Sequence, residues 1–162
     1  MKWFSRDKRR AEVSSSGHPL KQTELFCDLT ERELKIVDGF VHRRDFLAGE
    51  VIFDQGEEGQ ALYVIVSGKV AICLPDRQEA PLAELQNRDF FGELGLLDGW
   101  PRSAQARAVM PSELIVLARA DFEHLMQSHA RIASRIAFKL AHHLGQRLRQ
   151  MLAQSLGEGA VL

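Results

Sequence analysis

The stretch "FGELGLLDGWPRSAQARA", residues 91–108, sets Gly92 and Glu93, a short apolar turn, and then Pro101, Arg102, Ser103 and Ala104 close together in the chain. A carboxylate, a guanidinium and small residues at this spacing are the polar equipment for a small anionic ligand. Arginine offers a rigid fork of N–H donors that matches phosphate oxygens. The turn that begins at Glu93 presents free N–H groups at its first residues, where negative charge is favoured.

Upstream and downstream of this stretch, the chain reads as short β-rich runs: "EVIFDQG", "ALYVIVSG", "KVAICLP", "APLAELQ", "RSAQARAV" and "ELIVLAR". Turn residues separate them at intervals of roughly 8 to 12 positions, which predicts a sandwich or a barrel. Gly56, Gly59, Gly68, Gly92 and Gly95 fall at the punctuation points, where the backbone needs positive φ or close approach.

Both ends change grammar. In "LKQTELFCDLTERELKIVDGF", residues 20–40, Leu29, Leu34, Ile36, Val37 and Phe40 lie near helical spacing, and Thr30 with Glu33 forms a capping box, so one or two short helices are predicted. After Arg119, Asp121 reads as the N-cap of a helix through "FEHLMQ". From Ala130 to about residue 155 a long helix has Ile132, Ile136, Leu140, Leu144, Leu148 and Leu152 in one stripe, flanked by Ala133, Ala137 and Ala141. That stripe is too wide for one packing surface. One side covers the barrel, and the other is expected to meet the same helix of a second subunit, the alternative being a helix folded wholly onto its own barrel.

The organisation expected is therefore a flexible basic tail over 1–19, a barrel with its N-terminal helices over 20–129, the long helix over 130–155 and a flexible tail over 156–162. The chain has 162 residues, 45% hydrophobic, enough for one core. It shows neither an apolar run long enough to span a membrane nor a signal peptide, which predicts a cytoplasmic protein. Cys27 and Cys73 lack metal-ligand spacing and read as reduced thiols inside the core.

Net charge of −1 hides an asymmetry: residues 20–129 hold 11 basic and 19 acidic side chains, whereas residues 1–19 and 130–162 are both net basic. An acidic body repels nucleic acid. Trp3 and Phe4 beside Lys8, Arg9 and Arg10 could place the N-terminal tail at a membrane surface or on a partner; a plain solvated tail is the other reading.

The order helices, short-stranded barrel, long helix, together with "AGEVIFDQGEEGQALYVIVSGKVAI" and "DFFGELGLLDGWPRSA", resembles the cyclic nucleotide-binding domain family over about Leu20 to Leu148. The resemblance implies a mainly β fold: a jelly-roll barrel with N-terminal helices, a short phosphate-binding-cassette helix and a long C-terminal helix. It implies cAMP or cGMP as ligand, with phosphate and ribose held by Gly92, Glu93, Leu94, Arg102, Ser103 and Ala104, the Glu93 carboxylate accepting from the ribose 2′-hydroxyl. Ile72, Leu82, Ala83, His143 and Arg147 would then face the base, with the long helix across it. Two positions depart from the family pattern. Arg147 stands where a threonine is common in transcription-factor relatives, which leaves adenine and guanine both open, with cAMP favoured. Arg88 stands where glycine is usual, and Asn87 is expected to take the left-handed conformation in its place.

The chain runs about 14 residues past Leu148, too few for a helix-turn-helix. A stand-alone sensor is expected, with a partner protein as effector and no sequence-specific nucleic acid binding. His18, His42, His124, His129, His142 and His143 form no metal-binding pair, and no Walker, GxSxG or GxGxxG motif occurs, so no enzyme activity, metal or cofactor is expected. The rival reading is a ligand-free dimerisation or adaptor module on the same fold.

Overall fold

A computed structural model describes residues 17–76 and 80–158. Eight strands form two antiparallel sheets: β1 (His42–Phe46), β2 (Val51–Phe53), β3 (Ala61–Ser67), β4 (Lys69–Cys73), β5 (Ala83–Gln86), β6 (Phe90–Phe91), β7 (Gln105–Ala108) and β8 (Ser112–Ala118). The strand orders are β1-β8-β3-β6 and β2-β7-β4-β5, the double-sheet arrangement of a jelly roll.

The near-continuous apolar runs of β3 and β8 follow from their place in the middle of a sheet covered on both faces. Leu62, Val64, Ile115 and Leu117 face a layer of helices, while Ile65 and Leu114, on the opposite face, meet Phe53, Val70, Phe91 and Ala106 inside the barrel. Two strands were not expected from the sequence. β1, "HRRDF", is an edge strand that pairs only with β8 and leaves four of its five residues exposed, so it has no apolar alternation to read. β6 is only two residues long.

Four α-helices flank the sheets: α1 (Glu31–Val37), α2 (Glu93–Leu97), α3 (Arg119–Ser128) and α4 (Ala130–Glu158). The expected capping box starts α1: Thr30 Oγ1 accepts from the Glu33 N–H at 3.3 Å, and Glu33 Oε2 accepts from the Thr30 N–H at 2.9 Å. Asp121 is not the N-cap of α3. β8 runs directly into that helix, Ala118 is the cap, and Asp121 lies in the first turn, 3.3 Å from His42.

The first half of α4 buries Ile132, Ala133, Ile136 and Leu140 against Leu20, Phe26, Leu29 and Leu34. Ion pairs from Arg135 to Glu33 (3.0 Å) and from Lys139 to Asp28 (2.9 Å) border this contact. Beyond it the stripe does not stay covered. Leu148 and Leu152 are 58% and 53% exposed, and every residue from Gln146 to Ser155 is exposed.

The helix also runs to Glu158, past the boundary expected at 155, because no strong breaker precedes Gly157. His18 and Pro19, expected in the tail, belong to the folded body. His18 bonds Asp38 at 2.9 Å, and Pro19 opens a 3-10 turn over Pro19–Gln22. Residues 1–16 of the basic tail, with the membrane-surface contact proposed for it, lie outside the described residues, as do 159–162. Cys73 is buried as expected, but Cys27 is only half-buried, its thiol donating to the Glu24 carbonyl at 3.1 Å on the rim of the helical layer.

Candidate functional site

A cavity of about 790 Å³ opens where β4, β5, β6, α2, the loop before β7 and the middle of α4 converge. All the residues singled out in the sequence line it: Gly92, Glu93, Leu94, Arg102, Ser103 and Ala104 on the cassette, Ile72 on β4, Leu82 and Ala83 just before and at the start of β5, and His143 and Arg147 on α4. The cassette loop lies antiparallel to residues 56–59: Gly59 N–H donates to the Trp100 carbonyl at 3.2 Å, Arg102 N–H to Glu57 at 2.7 Å, and Gly56 N–H to Arg102 at 2.9 Å. Pro101, which lacks an N–H, sits between two of these bonds without breaking the pattern.

Arg102 is 7% exposed. Its Nη1 donates to the Gly92 carbonyl at 3.1 Å and its Nη2 to the Ala61 carbonyl at 2.8 Å, and the guanidinium carbon lies 4.1 Å from the centre of the Phe53 ring. A Cβ on Gly92 or on Gly95 would stand 2.8 Å from Nη1, so these glycines make room for the arginine as well as turning the chain at Gly92, where φ is +79°. Burial holds the guanidinium below its ordinary pKa, against the opposing influence of Tyr63 and then of Glu57 and Glu93. Its Nε–H is buried without a partner, and among the described residues no carboxylate is within ion-pair distance. A buried cation bonded only to carbonyls is poised for an anion.

Glu93, the first residue of α2, is 3% exposed. Arg147 Nη1 donates to its Oε1 at 2.5 Å, so the structure sets Arg147 on the carboxylate and not over the apolar slot where the base was expected. Arginine is long enough to reach across from α4, and a buried carboxylate is a stronger attractor than an apolar wall. His143, one turn earlier, tilts against Phe90 with ring centres 4.6 Å apart and stands 3.9 Å from Glu24. Ile72 is half-buried, while Leu82 (63%) and the neighbouring Ala83 are exposed at the mouth.

Several contributors were not singled out beforehand. Phe53, Tyr63 and Phe91 form an aromatic cluster with ring centres 5.2 to 5.9 Å apart, and Phe53 gives Arg102 its seat. Phe53 and Tyr63 lie in runs that read as strands in the sequence, whereas β6, which carries Phe91, does not; the service of the three rings to Arg102 has no sequence signal. Arg119 holds the cassette helix from behind, Nη2 donating to the Gly95 carbonyl at 3.0 Å and Nε to Leu96 at 3.2 Å. Nothing in the sequence marks that role. Arg88, and not Asn87, takes the left-handed conformation, with φ +79°. It is the third residue of the turn Gln86–Asp89, closed by Asp89 N–H to the Gln86 carbonyl at 3.0 Å, and that position is the one a type II turn requires at positive φ.

Among the described residues, no group of three His, Cys, Asp or Glu side chains could hold a metal ion, and no helix is long and apolar enough to cross a membrane. The arrangement is that of a binding site, with a buried cation and a buried acceptor lining one cavity.

Comparison with known proteins agrees with this geometry. The profile described as "Cyclic nucleotide-binding domain" matches residues 43–129. The chain is 40% identical over 110 residues to the cyclic AMP receptor protein of Thermus thermophilus, covering 67% of this chain and 51% of that one. It is 32% identical over 130 residues to a cyclic nucleotide-gated potassium channel of Rhizobium etli, covering 80% of this chain and 36% of the channel. It thus spans about half, or less, of the length of these curated relatives. Among solved structures, the catabolite activator protein of Thermus thermophilus superposes with a TM-score of 0.74 at 38% identity, over 84% of this chain and 63% of that one. The cassette wrapped around a buried arginine, the jelly roll that presents it and the matched profile lead to one conclusion: the chain belongs to the cyclic nucleotide-binding domain family.

Proposed function

We propose that this protein is a non-enzymatic receptor for a 3′,5′-cyclic purine nucleotide, cAMP ahead of cGMP, which signals by changing the surface it offers a partner protein. The observation that carries the reading is Arg102: buried, with an unpartnered Nε–H, in the same cavity as the buried carboxylate of Glu93. The cyclic phosphate brings one negative charge to the guanidinium, with Ser103 and the backbone at Ala104 adding donors. Glu93 accepts from the ribose hydroxyl, and Gly92 and Leu94 shape the turn beneath it. Ile72, Leu82, Ala83 and His143 supply the surface for the base. The name of the 40% identical relative favours cAMP.

The same reading makes α4 the output element, exposing Phe138, Leu148, Met151 and Leu152 for a homodimer or an effector protein in the cytoplasm. Since the excess of acidic residues lies in the barrel, sequence-specific DNA contact by this part of the molecule is not part of the proposal.

Isothermal titration with cAMP and with cGMP tests it. Saturable one-to-one heat with either, stronger for cAMP, is the expected result. A folded protein that gives no heat with both would leave a dimerisation or adaptor role on this fold.

A further inference from the structure

We infer that Arg147 sets the nucleotide affinity by competing with the ligand for Glu93, so that the Arg147–Glu93 bond and the ribose–Glu93 bond exclude one another. The inference rests on the reading of Glu93 as the ribose acceptor.

The reach of α4 makes this bond unusual. Leu140 is the last fully buried residue of the helix, His143 to Gly145 are half-buried, and all described side chains from Gln146 to Ser155 are exposed. Among the described residues, the other side-chain contacts of this stretch are the bond from Gln146 to His142, which stays within the helix, and the looser 3.9 Å approach of His143 to Glu24, one turn earlier. Among the described residues, Arg147 to Glu93 is therefore the outermost polar tie between α4 and the barrel, and it ends on the carboxylate that the ligand needs.

The two bonds are unequal in strength. Both bonds end on a carboxylate and are charge-assisted, but only the guanidinium brings a full opposite charge to it, at 2.5 Å. The Glu93 side chain is only 4% exposed beneath Arg147, so a ribose hydroxyl reaches it once the guanidinium has moved. The ligand reaches Glu93 only while the pair is open, so the apparent affinity is the intrinsic affinity multiplied by the open fraction. Arg147 itself is 55% exposed, so its release into water carries little penalty and the competition is one the ligand can win.

The test uses Arg147→Gln, which removes the charge, and Arg147→Lys, which keeps it, both at an exposed position that leaves the core intact. Amide hydrogen exchange over residues 144–155 is measured without added nucleotide, and cAMP affinity by titration. Arg147→Gln is expected to exchange about threefold faster or more in that segment and to bind cAMP roughly three- to tenfold more tightly, with Arg147→Lys near the wild type. Weaker binding by Arg147→Gln would make Arg147 a ligand contact and overturn the competition. Unchanged exchange would overturn the tie. Faster exchange in Arg147→Gln, with no binding by any form, would remove the nucleotide reading and the competition with it, leaving the tie between α4 and the cassette standing.

Discussion

Gly59 and Gly95 meet backbone to backbone: a Cβ built on either would stand 2.6 Å from the Cα of the other. This contact seats α2 against the β2–β3 connection, and no side chain could yield there. Gly95→Ala is expected to destabilise the fold by about 1 to 3 kcal/mol, as overpacking does. The same methyl group would press on Arg102 Nη1 at 2.8 Å, so nucleotide affinity should fall as well. Thermal unfolding and titration on one preparation check both effects.

Arg102→Lys keeps the charge but loses the fork and the stacking on Phe53. Losing a charge-assisted bond of roughly 1.5 to 3 kcal/mol should lower cAMP affinity at least about tenfold. Unchanged affinity in a folded variant, judged by circular dichroism, would contradict the role given to this residue.

Self-association through α4 predicts that Leu148→Glu lowers the sedimentation-equilibrium mass from dimer to monomer with the circular dichroism of the wild type retained, because Leu148 touches none of the core. A wild-type protein that sediments as a monomer at high concentration would argue that these apolar residues serve another partner.

Acid should loosen the N-terminal helices from α4. Hydrogen bonds from Lys139 hold Asp28 below its ordinary pKa of 3.8, and the Thr30 N–H holds Glu33 below its ordinary 4.5. Because both folded-state values are lowered, the stabilisation is complete above the ordinary values and is lost as the pH falls through the lowered ones. Lys139→Met is therefore expected to melt below the wild type at pH 7, with the two curves converging as the pH falls below the lowered Asp28 value. Parallel curves at every pH would show that the pair contributes nothing.

Arg88 holds a left-handed backbone that ordinarily costs a side-chain-bearing residue about 1 to 2 kcal/mol. Arg88→Gly removes that strain, gives up one exposed hydrogen bond to Gln22 at 3.2 Å and adds unfolded-state entropy, for a net stabilisation of roughly 0.5 to 1 kcal/mol. Chemical denaturation should show a higher midpoint at an unchanged slope.

The contrast between Arg88 and Arg102 shows where reading the sequence succeeds. Arg102 was legible because its neighbours are small, its spacing from Glu93 is short and its chemistry asks for an anion; the structure sets all of these around one cavity. The αL position was misassigned to Asn87 because propensity ranks asparagine above arginine, whereas the hydrogen bond that closes Gln86–Asp89 decides which residue stands third in the turn. β1 escaped notice since an edge strand in water needs no apolar face. Arg147 lines the cavity, but its partner there depends on an ion pair across 54 positions of sequence, which no local pattern encodes.

The rod-like continuity of α4 has a mechanical consequence. From Leu140 to Glu158 the helix projects about 27 Å beyond its last buried residue, at 1.5 Å per residue. Pivoting by roughly 10° at that fulcrum would sweep its tip through about 5 Å, nearly one helical pitch. At Arg147, about 10 Å from the fulcrum, the same pivot amounts to about 2 Å, so a partner gripping the far end would feel a displacement roughly two to three times the one at the pocket.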